Sequence, residues 1–323
     1  MSWPATSKKP SGDGTRAASH ESECPMDMQI KKLLFVTKFE ELGYDALKTL
    51  LSLRKAFLEH IVFLYVIERD KVAMQRGVGF KRDEAIRQKE AANIRFIDWA
   101  ERLFVQGMEV GVYIQIGSLA AEVAKAVQKE EADLVVIGRS QKSTLEQFYS
   151  GSTVTELIRR LSVPVLVYKP APELPFAMGR PFDRPLLATD WSPASLRAVD
   201  LLKSMKPLIQ EVRVVHVVDQ ESIEGSSVML AQKARKEAKQ RLEDVCARFE
   251  SEGIPARSHV YVGDPKEEIE KALRECQATL SVLGSSAKAN WVERFIGSTP
   301  RHIAEKSFFP TLLIPPERRS NGG

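Results

Sequence analysis

Glycine and small hydroxyl residues placed after an apolar run can do the chemistry of anion binding, and the chain carries such a set twice. Near the C-terminus an apolar run closes at Gly284, a loop covers 285–296, and Gly297-Ser298-Thr299 opens a helical pattern. Glycine lets the backbone approach an anion, while a helix N-terminus offers unpaired N–H groups at the positive end of its dipole. Earlier, Gly138 closes the run LVVIG and Gly151-Ser152-Thr153 opens the next helical pattern. Gly138 and Gly284, Gly151 and Gly297, Ser152 and Ser298, Thr153 and Thr299, and Pro164 and Pro310 all lie 146 residues apart. One offset shared by five pairs makes the chain a duplication. The plainer reading is that these residues only start helices, with Ser298 or Thr299 as a cap and Pro300 at the first helical position.

The elements that would hold these turns repeat as well. Lys31 to Thr37, Ile61 to Ile67, Val110 to Ile116, Asp133 to Gly138 and Val163 to Val167 read as five short strands. Helical patterns separate them: Tyr44 to Leu58, Asp83 to Val105 (with Ile86, Ile94, Ile97 and Phe104 set among charges), one from Leu119, and one ending near Leu161. Thr153 and Glu156 suggest a capping box for the last. The second half repeats the order, with strands from Leu186, Val212, Arg257, Leu280 and Thr311 and helices from Pro193, Val228, Lys266 and Thr299. The charged pattern from Ala231 to Glu252 reads as a solvated helix face with i,i+4 pairs. Strands alternating with helices of this length predict an α/β fold of two tandem doubly wound, Rossmann-like parallel five-stranded sheets. Ligands bind such sheets at the carboxyl ends of the strands. The expected divisions are a disordered tail at 1–29, domains at 30–169 and 185–316, a Pro-rich linker at 170–184, and a tail at 317–323.

Length and composition bound the possibilities. With 323 residues, two domains can each bury a core. The formal charge of +4, with both signs interspersed, does not suggest nucleic-acid binding. No apolar run approaches a membrane span, and the N-terminus lacks a signal-peptide apolar region. Cys24, Cys246 and Cys276 show no CxxC spacing, which fits reduced thiols in the cytoplasm and neither a disulfide framework nor a metal site.

Taken together, Gly138-x2-Gln141-x9-Gly151-Ser152 and Gly284-x2-Ala287-x9-Gly297-Ser298, with the strands LLFVTKFEE, LLATDWSPAS, VVHVVD, VPVLVYKP and FPTLLIPP, resemble the universal stress protein family, specifically its tandem-domain members. The resemblance covers about 31–169 and 185–315. It implies a sheet order of 3-2-1-4-5 in each half, of the adenine nucleotide alpha hydrolase-like kind, and an intramolecular pseudo-dimer joined through the last strands, which can dimerise again. Where members bind ATP, with Mg, the family pattern is Gly-x2-Gly-x9-Gly-(Ser/Thr). Carried over, Gly284, Ala287, Gly297, Ser298 and Thr299 would face phosphates, and Ala188, Thr189, Asp190 and Val217 would face adenosine. Asp190 has a carboxylate able to accept from ribose hydroxyls; its plainer role is to form a turn.

The sequence departs from the family pattern at both second glycines, which are Ala287 and Gln141. In the first half the strand-end aspartate is replaced by Lys38, which has no acceptor. The first site, Lys38, Gly138, Gln141, Gly151 and Ser152, is therefore expected not to take ATP. His216 is expected on the rim of the second site. The leading functional expectation is a cytoplasmic stress-response regulator that binds an adenine nucleotide in its C-terminal half. The alternative is a scaffold that binds no nucleotide and serves dimerisation or protein contacts. No Ser/His/Asp set, adenylyl-transfer motif or paired metal carboxylates is present, so no enzyme is expected beyond slow ATP hydrolysis.

Overall fold

The computed structural model describes residues 28–39, 42–68, 82–138, 151–169, 179–219, 228–285 and 297–316. Residues 1–27 of the expected N-terminal tail, the C-terminal tail, most of the linker, and the loop positions Gln141 and Ala287 lie outside these residues; Met28, placed in the tail by the sequence, packs against the core.

In the first half the strands are β1 Lys32–Val36, β2 His60–Glu68, β3 Glu109–Gly117, β4 Leu134–Gly138 and β5 Val165–Tyr168. Helices α1 Tyr44–Leu50, α2 Arg82–Phe104, α3 Leu119–Glu130 and α4 Gly151–Arg160 connect them. The second half supplies β6 Pro185–Ala188, β7 Val212–Asp219, β8 Ala256–Gly263, β9 Leu280–Gly284 and β10 Thr311–Ile314. Its helices are α5 Pro193–Ser204, α6 Val228–Glu250, α7 Pro265–Glu275 and α8 Ser298–Lys306.

These strands form one ten-stranded sheet of order β3-β2-β1-β4-β5-β10-β9-β6-β7-β8. Each half has the order 3-2-1-4-5, parallel throughout. The halves join where β10 runs antiparallel to β5, Leu312 opposite Leu166. The inner strands β1, β4, β5 and β10 are buried runs without alternation because both faces are covered, whereas the edge strands β3 and β8 keep exposed positions. Along β1, Leu33 and Phe35 enter one core, while Leu34 and Val36 enter the other. The first core lies under α1, α2, α5 and α6; the second lies under α3, α4, α7 and α8.

Several sequence expectations are corrected. The helix expected to run to Leu58 stops at Leu50, continues as a 3₁₀ turn over Leu51–Ala56, and ends at Phe57 with φ of 75°. Helix α4 begins at Gly151, so Thr153 lies inside it and not at its cap. Phe182, placed in the linker by the sequence, is 3% exposed and packs in the core. On α2 the buried stripe is Ala85, Ala92, Phe96, Trp99 and Leu103, whereas Ile86, Ile94, Ile97 and Phe104 are exposed. The solvated face expected on α6 is present, with Lys233–Glu237 and Lys239–Glu243 pairs at i,i+4.

Candidate functional site

In each half the chain direction across the sheet reverses between the first and fourth strands, which opens a crevice at their carboxyl ends. In the second half, Thr189, Asp190 and Trp191 follow β6 directly into this crevice. Thr189 is buried, and its N–H donates to Val215 O at 2.9 Å. Its Oγ1 accepts the Trp191 N–H at 3.1 Å, which bends the chain sharply enough to place Trp191 at φ of 64°. A bulky residue in the left-handed region is strained, and such strain persists only where surrounding contacts hold it.

The contacts that hold it come from two directions. The Trp191 ring packs against His216 of β7 at a tilt of 34°, centroids 5.0 Å apart, with the Arg241 guanidinium of α6 5.5 Å from the ring centre. His216 Nδ1 lies 2.8 Å from Thr189 O. A carbonyl only accepts, so Nδ1 carries the proton. From below, Ser192 caps α5 by accepting the Ser195 N–H at 3.2 Å, with Pro193 following at the first helical position.

Asp190 is exposed at the top of this turn. Its Oδ1 accepts the Ser192 N–H at 3.0 Å and lies 3.2 Å from the Ser195 hydroxyl. Oδ2 makes no hydrogen bond among the described residues. The carboxylate is therefore oriented through one oxygen. Ala188 and Val217, the other residues expected near adenosine, are half-buried at the ends of the neighbouring strands β6 and β7.

The phosphate side is built from β9 and α8. Gly284 is buried as the last residue of β9; a Cβ there would sit 2.7 Å from Ser195 N in the first turn of α5. Glycine at this position is what lets the helix start approach the strand end. Ser285 is 2% exposed, and its N–H donates to Ile314 O at 2.8 Å, but its buried Oγ has no partner. Helix α8 starts at Ser298 with Gly297 as N-cap and no side-chain cap bond. This corrects the expected Ser298 or Thr299 cap. Pro300 is the third helical residue, so Ser298 and Thr299 supply the N–H groups of the opening turn. The structure thus brings Ala188, Thr189, Asp190, Val217, Gly284, Gly297, Ser298 and Thr299 to one end of the sheet.

The first half repeats the turn with different charge. Thr37 Oγ1 accepts the Phe39 N–H at 2.7 Å, Phe39 has φ of 66°, and its ring stacks on Tyr65 at 5.5 Å with Arg95 5.0 Å away. Between them Lys38 Nζ pairs with Glu68 Oε1 at 2.5 Å. Gly138 closes β4, and Gly151 and Ser152 open α4. Tyr65 and Phe39 also join Phe63, Phe96 and Trp99 in an aromatic cluster.

Sequence reasoning put His216 only on the rim and gave Ser195 and Ser285 no part. The Ser-Pro-x-Ser spacing at 192–195, a capping pattern, was the signal available for Ser195. Among the described residues no group of three or more His, Cys, Asp or Glu could hold a metal ion, and no helix is long and apolar enough to cross a membrane.

Two copies of one fold, each with the same strand-end turn, define a tandem α/β protein, and comparison with known proteins agrees. The universal stress protein family model matches residues 29–169 and 181–315, and the chain belongs to that family. A universal stress protein of Methanocaldococcus jannaschii is 27% identical over 149 residues, covering 40% of this chain and 92% of its own. A crystal structure of a universal stress protein from Archaeoglobus fulgidus superposes with a TM-score of 0.67 at 21% identity, over 89% of this chain and 99% of its own. A protein of unknown function from Pseudomonas aeruginosa gives 0.61 at 17% identity, over 90% and 94%. These two solved structures share the fold.

Proposed function

We propose that this chain is a cytoplasmic stress-response regulatory protein that binds an adenine nucleotide, ATP with Mg, through its second half alone. The observation that carries this reading is the charge contrast at the duplicated turn. Where the first half neutralises itself with Lys38 and Glu68, the second half presents the exposed, pre-oriented Asp190 carboxylate. A carboxylate can accept from ribose hydroxyls; an ammonium cannot.

The residues fit such a ligand. The unpartnered, buried Ser285 Oγ lies at the root of the loop, and the uncapped start of α8 offers Ser298 and Thr299 N–H groups to phosphate oxygens. Asp190 would hold the ribose, and Ala188 and Val217 would flank the base. Free thiols at Cys246 and Cys276 suit the cytoplasm. The chain acts by binding and not as an enzyme; at most it hydrolyses ATP slowly.

The competing reading is a scaffold that binds no nucleotide. It is favoured by the structural work Asp190 and Gly284 already do, the first at the start of α5 and the second beneath it. Calorimetric titration of the full-length protein with Mg-ATP separates the two. Binding at one site per chain, lost in Asp190→Ala, supports the nucleotide reading. The absence of heat at millimolar ATP supports the scaffold.

A further inference from the structure

Helix α4 belongs to the first half, yet its end lies beside the start of α8, where the second half would hold phosphate. Strands β5 and β10 run antiparallel, with Val165 opposite Leu313. Each follows a helix that returns along it, α4 before β5 and α8 before β10. The two helices pack together on one face of the sheet, where Val154, Leu157 and Ile158 share a core with Ile303 and Ala304. Two helices so placed are antiparallel, and the last turn of α4 meets the first turn of α8.

The side chain that this last turn offers to α8 can be read from the neighbouring helix. On α3, Glu122 reaches over Gly117 of the edge strand β3 and Lys129 lies over Tyr113 of the same strand. Ala124, on the other flank, packs into the core toward α4. Both helices are crossovers of one hand on one face of a parallel sheet, so their flanks are turned alike. On α4 the flank toward α3 carries Arg160, and the flank toward α8 carries Thr155 and, about 40° further outward, Arg159. Arg160 is held within its own helix by Glu156 at 2.8 Å. Arg159 is exposed.

The duplication supplies the comparison. The residue 146 positions after Arg159 is Glu305, on the flank of α8 toward α4 and at the far end of that helix. Glu305 is thus set beside Gly151 and Ser152 at the start of α4, and it accepts from Arg301 Nε at 2.7 Å. A guanidinium stands by the turn of the half that has Asp190, and a carboxylate by the turn of the half that has Lys38. An anion is favoured at the first place and repelled at the second.

We propose that Arg159 of the first half completes the phosphate end of the second half's site, its guanidinium donating to phosphate oxygens that the α8 N–H groups also hold. This inference rests on the nucleotide reading: the ligand lies in the second half, and the first half lends it one side chain. The start of α8 has company there in Ser285, 2% exposed, whose Oγ lacks a partner at the root of the same loop. Guanidinium presents its N–H donors in a planar fork that matches phosphate. Bound phosphate would then bridge the two halves across the β5–β10 joint.

The test is calorimetric titration of the full-length protein with Mg-ATP, adenosine and inorganic tripolyphosphate. Arg159→Gln is expected to weaken Mg-ATP about tenfold and to leave adenosine unchanged. Arg159→Lys, which keeps the charge, should recover part of the loss. Arg160→Gln removes the same charge from the same turn on the flank away from α8, and should bind as the wild type does. Both arginines are exposed, so melting temperatures should coincide. Wild-type affinity in Arg159→Gln, or an equal loss in Arg160→Gln or for adenosine, overturns the inference and leaves the nucleotide reading standing. A wild type that takes tripolyphosphate through Arg159 but not Mg-ATP overturns the nucleotide reading and keeps Arg159 as a phosphate ligand. A wild type that binds neither overturns both.

Discussion

Lys38 Nζ sits 2.5 Å from Glu68 Oε1, and the residues at the duplicated positions in the second half are Asp190 and Asp219. One ion pair in the first half thus corresponds to two carboxylates in the second. The backbone beneath is the same in both: a threonine accepts from the N–H two residues on, and that residue is an aromatic at φ of 66° or 64°. Fold and charge have separated since the duplication, with the turn kept and its electrostatics reversed.

Mutation of the two turns should therefore have opposite consequences. Asp190→Ala is expected to abolish Mg-ATP binding at an unchanged melting temperature within a few degrees. Lys38→Ala is expected to leave binding unchanged and to cost about 1 kcal/mol of stability, since it strands a half-buried Glu68. Calorimetry on the two variants reads both effects. Loss of binding in Lys38→Ala with retention in Asp190→Ala would move the site to the first half.

Gly284 should be intolerant of any side chain. A Cβ would lie 2.7 Å from Ser195 N and 3.1 Å from Ala194 C, both backbone atoms that move only if α5 moves. Gly284→Ala is expected to cost about 1–3 kcal/mol through overpacking. The displaced α5 would carry with it the Ser192 and Ser195 groups that orient Asp190, so nucleotide affinity should fall too. Thermal denaturation and titration of the one variant should move together; a stable Gly284→Ala protein would show that α5 adjusts freely.

The pH dependence of stability should show the mark of His60. Burial first, and then nearby Lys32, lower its pKa below the ordinary 6.5, with Glu109 and Glu130 opposing. Its buried Nε2 has no hydrogen-bond partner. The folded protein thus holds this ring neutral, while the unfolded chain takes up a proton below 6.5. The sign follows: the contribution is fully present above that value and is lost as pH falls through the lowered folded value. Melting temperature should decline between about pH 7.5 and pH 5, and His60→Gln should flatten the decline. Equal slopes for the two proteins would remove His60 from the account.

Much of this was legible in the residues because burial on both faces leaves a plain mark. Leu33 to Val36 and Leu134 to Ile137 are unbroken apolar runs, and their repetition with the Gly-Ser turns gives the tandem α/β arrangement. What stayed hidden depends on contacts between distant segments. The local mark for the positive φ of Phe39 and Trp191 is slight, a threonine two residues earlier, and the conformation is held besides by rings and guanidinium groups on other elements. Periodicity shows that α2 has apolar stripes but not which of them meets the sheet. Phe96 and Trp99 turn inward, and Ile97 and Phe104 do not. The loop positions Gln141 and Ala287, on which the family pattern turns, stand outside the described residues.

Lys169 is a further case of a residue whose role comes from the other half of the chain. It follows β5, is 2% exposed, and its Nζ donates to Ser307 O at 2.6 Å and Ile303 O at 3.2 Å. Those carbonyls lie at the C-terminal end of α8, the helix whose opposite end carries Gly297, Ser298 and Thr299. A buried cation at the negative end of a helix dipole satisfies orphan carbonyls and fixes the helix in place. The duplicated position is Pro315, which has no such cation; its carbonyl instead accepts from Arg197 Nη1 at 2.6 Å. The two halves are thus tied together asymmetrically, by a lysine that holds the helix of the candidate site. Lys169→Met, which keeps the apolar stem and removes the charge, is expected to cost about 1–3 kcal/mol by leaving a buried carbonyl without its donor. Chemical denaturation of the full chain measures this. A variant as stable as the wild type would mean that water reaches Ser307 O and that the joint between the halves is carried by the β5–β10 pairing and the packing of α4 on α8 without Lys169.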